Sequence, residues 1–356
     1  LGGKTKRTLT EWGWVEQTVQ ELRKKLMPKF ICFDLEGPLS PQDNAYDLMK
    51  LFPNGDKIFE VISRYDDLLT LEERPDYEPG DTLALIVPFL ILHNITEENI
   101  TKLAAEASLT GGAAKLVSWL ESSSWKVFCI STTYEQYAQY ITQKLDIYTH
   151  RVACTPFPLD KFRATLTKEE KQLLEQAEAD ILKMHPPSDD ERIKKSLDKF
   201  FWEELPNTDL GTAIKEVKPI GGRRKVDALN KFAEKNDQPL DKWVVIGDSI
   251  TDFRMLQAVE EAGGLAIAFN ANEYALPHAT MGLASTSIFD LKEILEAWQK
   301  EGRPWVERVV KYKEKYGTKG DNNNFHWLSG RKDLKDVIEV HKRIRKMVRE
   351  EAGKLG

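Results

Sequence analysis

Four short apolar runs do most to limit what this chain can fold into. Phe30-Ile31-Cys32-Phe33, Lys126-Val127-Phe128-Cys129-Ile130, Trp243-Val244-Val245-Ile246 and Gly264-Leu265-Ala266-Ile267-Ala268-Phe269 have no polar alternation. Each stops abruptly, at Asp34-Leu35-Glu36-Gly37-Pro38, Ser131-Thr132-Thr133, Gly247-Asp248-Ser249 and Asn270 respectively. Runs this short and this apolar are strands buried on both faces. The stretches between them carry helical spacing, and strands alternating with helices build a parallel sheet covered on both sides.

The expected fold is therefore α/β, a Rossmann-like doubly wound parallel sheet with helical additions. The chain has 356 residues, too many for one ordinary core. Residues 1–28 read as an N-terminal helix capped by Thr10. Residues 29–40 and 121–298 read as the core, with a polar helical insertion at about 160–210. Residues 41–120 read as a helical cap inserted after the first strand. A short strand and a helix are expected within 285–298, and residues 299–356 form a charged helical tail. Asn322-Asn323-Asn324 reads as a loop.

Composition excludes several classes of function. Lys plus Arg is 51 and Asp plus Glu is 57, a net charge of −6, so no global positive field draws in nucleic acid. Three cysteines, Cys32, Cys129 and Cys154, are too few and scattered for a disulfide framework or a cysteine-rich zinc site. The six histidines show no metal-binding spacing. The longest apolar run, 83–92, is about half a bilayer span and is interrupted by Pro88. No signal pattern opens the sequence, so two Asn-x-Thr sequons, at Asn94 and Asn99, read as chance, and a cytoplasmic location is expected.

Ligands bind at the carboxyl ends of strands in such sheets. Here those ends carry Asp34 and Glu36, Ser131 and Thr132, and Asp248 and Asp252. Two unpaired carboxylates about 4 Å apart repel by roughly 4 kcal/mol at an effective dielectric near 20. A divalent cation relieves that cost, and an oxygen-only donor set favours a hard ion, Mg²⁺. A carboxylate on a strand end can attack phosphorus, while a second acid past the turn can reach the leaving group. Ser131 and Thr132 offer hydroxyls to phosphate oxygens. Lys225, in Gly221-Gly222-Arg223-Arg224-Lys225, opens a helix aimed at the same rim, with Lys218 and Arg224 as nearby alternatives.

These residues resemble, in order, the four motifs of the haloacid dehalogenase superfamily of phosphatases. They are Asp34-Leu35-Glu36-Gly37, the strand ending in Ser131, Lys225, and Gly247-Asp248-Ser249-Ile250-Thr251-Asp252. The resemblance implies that Asp34 is a nucleophile forming an aspartyl phosphate and that Glu36 is the acid/base, its backbone carbonyl also meeting the metal. It further implies that Ser131, Thr132 and Lys225 hold the phosphoryl group, and that Asp34, Glu36, Asp248 and Asp252 form the Mg²⁺ site. Asp252 is also read as a helix cap. The segment from Gly264 to Asn272, and the Glu at position 36, are similar to the phosphoserine-phosphatase branch, although Pro38 replaces the common Thr.

The implied activity is Mg²⁺-dependent hydrolysis of a small phosphorylated metabolite, under a cap in which Arg64 and Asp66 are the candidate specificity residues. The bland alternative for that pair is a surface salt bridge. A weaker resemblance joins Asp43-Asn44-Ala45-Tyr46, Pro53-Asn54-Gly55-Asp56, Ser63-Arg64-Tyr65-Asp66-Asp67 and Gly80-Asp81-Thr82-Leu83 to an archaeal group named as subunit R of energy-converting hydrogenase A. It implies association with a larger complex and leaves a regulatory, non-catalytic subunit as an alternative. Phosphotransfer to an acceptor alcohol uses the same residues and stays open. In the tail, Leu334, Val337, Ile338, Ile344, Met347 and Val348 lie at helical spacing. They either dock on their own domain or offer a face to a protein partner.

Overall fold

The computed structural model describes residues 29–162, 166–318 and 320–349, so the helix expected over 1–28 lies outside the described residues. A seven-stranded sheet runs in the order β3-β2-β1-β4-β5-β6-β7. The strands are β1 (Lys29–Phe33), β2 (Trp125–Tyr134), β3 (Val152–Thr155), β4 (Trp243–Gly247), β5 (Leu265–Phe269), β6 (Met281–Ala284) and β7 (Asn324–Trp327). The first six are parallel; β7 pairs antiparallel with β6. Apolar side chains fill both faces. Phe33, Val127 and Ile246 face one core, while Cys32, Phe128 and Val245 face the other. The absence of polar alternation in the sequence has this cause.

Four local expectations are corrected. β2 does not end at Ile130 but continues through Ser131, Thr132 and Thr133 to Tyr134. β3 falls where the sequence shows no strand pattern; three of its four residues are only half-buried, so its apolar signal is weak. β6 precedes Ser285, whereas 288–291 is a 3₁₀ turn leading into the helix Lys292–Glu301. The tail is not purely helical, because Asn324 opens the edge strand β7 between the helices Arg303–Tyr316 and Lys335–Arg349.

Helices fill the 41–120 interval, chiefly Asn44–Met49, Gly55–Leu71, Glu97–Glu106 and Ala113–Ser122. The apolar 83–92 run forms two buried pieces, Thr82–Leu85 and Val87–Leu92, with Pro88 in the first turn of the second. Among the described residues no single helix is long and apolar enough to cross a membrane.

The polar 160–210 insertion also has a buried side. Its polar face is outward, but Leu174, Ile181, Ile193 and Leu197 are buried in the same cluster as Ile58, Phe59 and Phe89 of the 41–120 segment. Arg64 pairs with Asp190, Arg74 with Asp198 and His93 with Glu178 across that junction. The two insertions thus pack as one helical body.

Candidate active site

The order in which strands are added to the sheet reverses between the parallel neighbours β1 and β4. From β1 the chain builds outward through β2 and β3; from β4 it builds the other way. Neighbouring strands lie ~4.8 Å apart, so residues leaving the ends of β1 and β4 must meet. The Asp34 N–H donates to the Ile246 carbonyl at 2.8 Å, locking the two exits in register. Carboxylate oxygens of Asp34, Asp248 and Asp252 come within 4.8 Å of one another, and all three residues are buried.

Gly37 makes this approach possible. Its φ is +102°, and a Cβ there would overlap the Asp248 carboxylate. Lys225, fully buried at the start of the helix Arg223–Lys235, donates to Asp34 Oδ1 and Asp252 Oδ1, each at 2.7 Å. Burial works against the Lys225 charge, but Asp252 and Asp34 outweigh it and raise its pKa. Burial, together with Asp252, pushes Asp34 up to about 7 against the pull of Lys225.

Asp252, which shares the carboxylate cluster, also ties the lysine to the Asp248 loop. Its Oδ1 takes Lys225, and its Oδ2 accepts from the backbone N–H groups of Asp248 and Ser249 at 3.0 and 3.1 Å. It therefore holds the Asp248 loop and the lysine, and its side chain makes no capping bond to the helix Phe253–Ala262. Asp248 retains a free oxygen: Oδ1 is buried with no hydrogen-bond partner. A buried carboxylate oxygen left unpaired is costly, and an oxygen-coordinated cation shared with Asp34 would satisfy it. The all-oxygen donor set of Asp34, Asp248 and Asp252 fits a hard ion such as Mg²⁺.

Glu36 stands at the cavity wall, where its Oε1 accepts from the Asn44 N–H at 2.6 Å. Burial pushes Glu36 well above the usual carboxylate range, and nearby Asp43 adds to the shift. The shift favours the protonated form, and a positioned carboxylic acid can serve as a proton donor.

The two hydroxyl candidates separate. Because β2 extends past them, alternate side chains point to opposite faces. Thr132 lines the cavity and donates to the Ile220 carbonyl at 3.0 Å. Ser131 is fully buried, accepts from the Thr133 N–H, and is not among the lining residues. It does not cap the following helix, which starts at Glu135.

The cavity measures ≈ 110 Å³ and is roofed by the 41–120 segment through Phe59, Ser63, Asp66, Gly80 and Thr82. The roof loop is fastened to the core: Asp81 pairs with Arg224, and Glu78 accepts from the Arg223 N–H at 2.9 Å. Of the two specificity candidates, Asp66 faces the cavity. It accepts from the Tyr77 hydroxyl at 2.6 Å and from the backbone of Gly80 and Thr82. Arg64 is not a lining residue; its guanidinium grips Asp190 at 3.0 and 2.6 Å, which makes it a tie between the two insertions.

Sequence reasoning misses two lining residues. Arg345 and Arg349, on the helix Lys335–Arg349, are buried and both donate to Asp248 Oδ2, Arg349 at 2.8 Å. The sequence pattern of the tail is that of a charged helix with an apolar stripe. The stripe does dock on the chain's own core, through Val337 and Ile344, while Met347 is half exposed. The signal that could have found the arginines is their place on that stripe: 337, 341, 344, 345 and 349 share one helix face, where charge is unexpected.

Residues 113–288 match the family model of haloacid dehalogenase-like hydrolases. The match begins after the Asp34 motif, which the fold supplies from outside it. A solved gene product of Archaeoglobus fulgidus is similar at 26% identity, over 93% of this chain and 99% of that one, with a TM-score of 0.80. A phosphoserine phosphatase in the form of a phospho-aspartyl intermediate analogue shares 18% identity over 76% of this chain and 98% of that one, at a TM-score of 0.48. A phosphoserine phosphatase in apo form shares 16% over 75% and 98%, at 0.43. No curated protein matches the chain.

Proposed function

We propose, from the match of residues 113–288 to the haloacid dehalogenase-like hydrolases, that the chain hydrolyses the phosphate monoester of a small metabolite, using Mg²⁺ held at the Asp34–Asp248 cluster. The observation that carries this reading is the convergence of Asp34, Asp248 and Lys225 at the strand switch, under a roof that leaves a small cavity. Mg²⁺ supplies charge neutralisation for the phosphoryl oxygens.

This chain's residues do the rest. Lys225 fixes the Asp34 carboxylate, which attacks phosphorus. As the Asp34 oxygen–phosphorus bond forms, the bond from phosphorus to the ester oxygen breaks, and Glu36 delivers its proton to the departing alkoxide. Glu36, now ionised, takes a proton from water. The resulting hydroxide attacks the aspartyl phosphate, releasing inorganic phosphate and restoring Asp34. Thr132 lies where a phosphoryl oxygen would approach, and the roof keeps bulk water from competing. The cavity volume fits a small head group, and Asp66 in its wall favours a substrate carrying a hydrogen-bond donor or a cation beside the phosphate.

Steady-state hydrolysis of an aryl phosphate, with and without Mg²⁺, tests the reading. Asp34→Asn is expected to lower turnover on the order of 10⁴-fold or more, as loss of a nucleophile does elsewhere. An unaltered rate in that variant would remove Asp34 from the chemistry.

A further inference from the structure

A second cavity lies on the outer side of the roof. It measures ≈ 380 Å³, against ≈ 110 Å³ for the cavity over Asp34, and volumes of this order hold small organic ligands. The segment 77–85 divides the two. Gly80, Thr82 and Leu83 line the smaller cavity, whereas Tyr77, Asp81, Ala84 and Leu85 line the larger. Among the described residues none lines both.

The far wall comes from the second insertion. The α-helix Asp190–Asp198 gives way to a π-helical turn over Lys199–Glu204, a rare geometry that recurs at functional sites. Phe201 and Trp202 of that turn line the cavity. Trp202 is 40% exposed, yet it is held in place. Its Nε1 donates to the Tyr65 hydroxyl at 2.8 Å, the Arg74 guanidinium lies 4.5 Å from its ring centre, and Tyr77 meets it edge-on at 6.3 Å. Leu205 and Val217 add apolar surface. A fixed aromatic ring loses little freedom when another ring packs on it.

The rim is basic. Arg74, Lys215, Lys218 and Arg224 line it, with two acids, Asp76 and Asp81. Arg74 pairs with Asp198 and Arg224 with Asp81. Lys215 and Lys218 are exposed and have no ion pair among the described residues, which leaves two lysines against Asp76. The neighbouring Glu216 lies 3.8 Å from Lys161 and is not a lining residue.

We propose that this cavity is a second ligand site, for a planar aromatic anion, and that its occupant braces the roof. The ring packs on the Tyr77–Trp202 wall and the anion meets Lys215 and Lys218. That wall carries two fastenings of the roof: Tyr77 donates to Asp66 Oδ1 at 2.6 Å across the partition, and Asp81 grips Arg224. A ligand that needs the wall in place binds the closed roof and stabilises it by linkage. The inference does not draw on the phosphatase reading.

Calorimetric titration of the full chain with 2-naphthoate tests the site. Saturable binding is expected, with 2-naphthol (the ring without the charge) and acetate (the charge without the ring) each weaker by about tenfold or more. Trp202→Ala and the double variant Lys215→Glu, Lys218→Glu are each expected to weaken 2-naphthoate about tenfold, while Trp202→Phe retains it. Both lysines are exposed, so the double variant decides if Trp202→Ala fails to fold. With 2-naphthoate at ten times its dissociation constant, proteolytic cleavage near 78–82 is expected to slow about tenfold. No binding, equal binding of 2-naphthol, or an affinity that neither variant lowers overturns the ligand site. Cleavage unaltered at saturation overturns its link to the roof.

Discussion

Two residues at the site carry consequences that follow from local geometry alone. At Gly37 the backbone is left-handed and a side chain would press on the Asp248 carboxylate. Gly37→Ala is expected to cost at least about 1 kcal/mol in backbone strain and to lower aryl phosphate turnover far more than thermal stability; equal activity would show that Asp248 has room to move. Asp66 is buried, and burial pushes its pKa up to about 7 despite the Tyr77 hydrogen bond. Its folded-state pKa lies above the unfolded value, so the folded chain binds this proton more tightly. The neutral carboxyl is favoured at low pH, and the site loses stability as pH rises from about 4 towards 7, then levels off. A tenfold difference in proton affinity between the folded and unfolded chain corresponds to about 1.4 kcal/mol. Asp66→Asn is therefore expected to flatten the fall in melting temperature between about pH 5 and 7.5; parallel profiles in the two proteins would exclude Asp66 as the cause.

At the scale of elements, the roof depends on a few fastenings. The loop through Gly80 lies against Thr132, where a Cβ on Gly80 would stand 2.6 Å from the Thr132 methyl. The Asp81–Arg224 pair ties that loop to the residue next to Lys225. Asp81→Ala is expected to free the loop, increase proteolytic cleavage near 78–82 and reduce kcat/KM about tenfold, ~1.4 kcal/mol of transition-state stabilisation. Unchanged kinetics would mean that the roof closes without this tie. The terminal helix is the other element with a double duty. Val337 and Ile344 hold it to the core, while Arg345 and Arg349, on the same face, reach Asp248.

For the molecule as a whole, the proposed reaction depends on one divalent site formed by strand ends that are distant in sequence. Chelation is expected to bring phosphate ester hydrolysis to background. Mg²⁺ is expected to restore it, while Ca²⁺, which is larger and takes more ligands, does not. A full rate in chelator would exclude the cation from the reaction. The molecule also unites the 41–120 and 160–210 insertions through Arg64–Asp190, Arg74–Asp198 and a shared apolar cluster. The polar surface of the second insertion hid this, because only one side of each helix is apolar.

What the sequence determined by itself is the parallel sheet and its acidic rim. Short apolar runs closed by an acid or a Gly, such as Trp243 to Ile246, read as buried strands, and a carboxylate directly after a buried strand is forced to the sheet edge. Asp34 and Asp248 were legible for that reason, and Lys225 from its place at the start of a helix ahead of β4. Tertiary structure alone decided the rest. Ser131 and Thr132 differ only in which face of β2 they occupy, which depends on where the strand ends. Arg64 and Asp66 are two residues apart, but packing turns one towards Asp190 and the other into the cavity. Arg345 and Arg349 had no local mark beyond a misplaced charge on an amphipathic stripe. Their partner, Asp248, is reached only when the terminal helix docks on β6, and no pattern in a single chain encodes a contact made at such a distance.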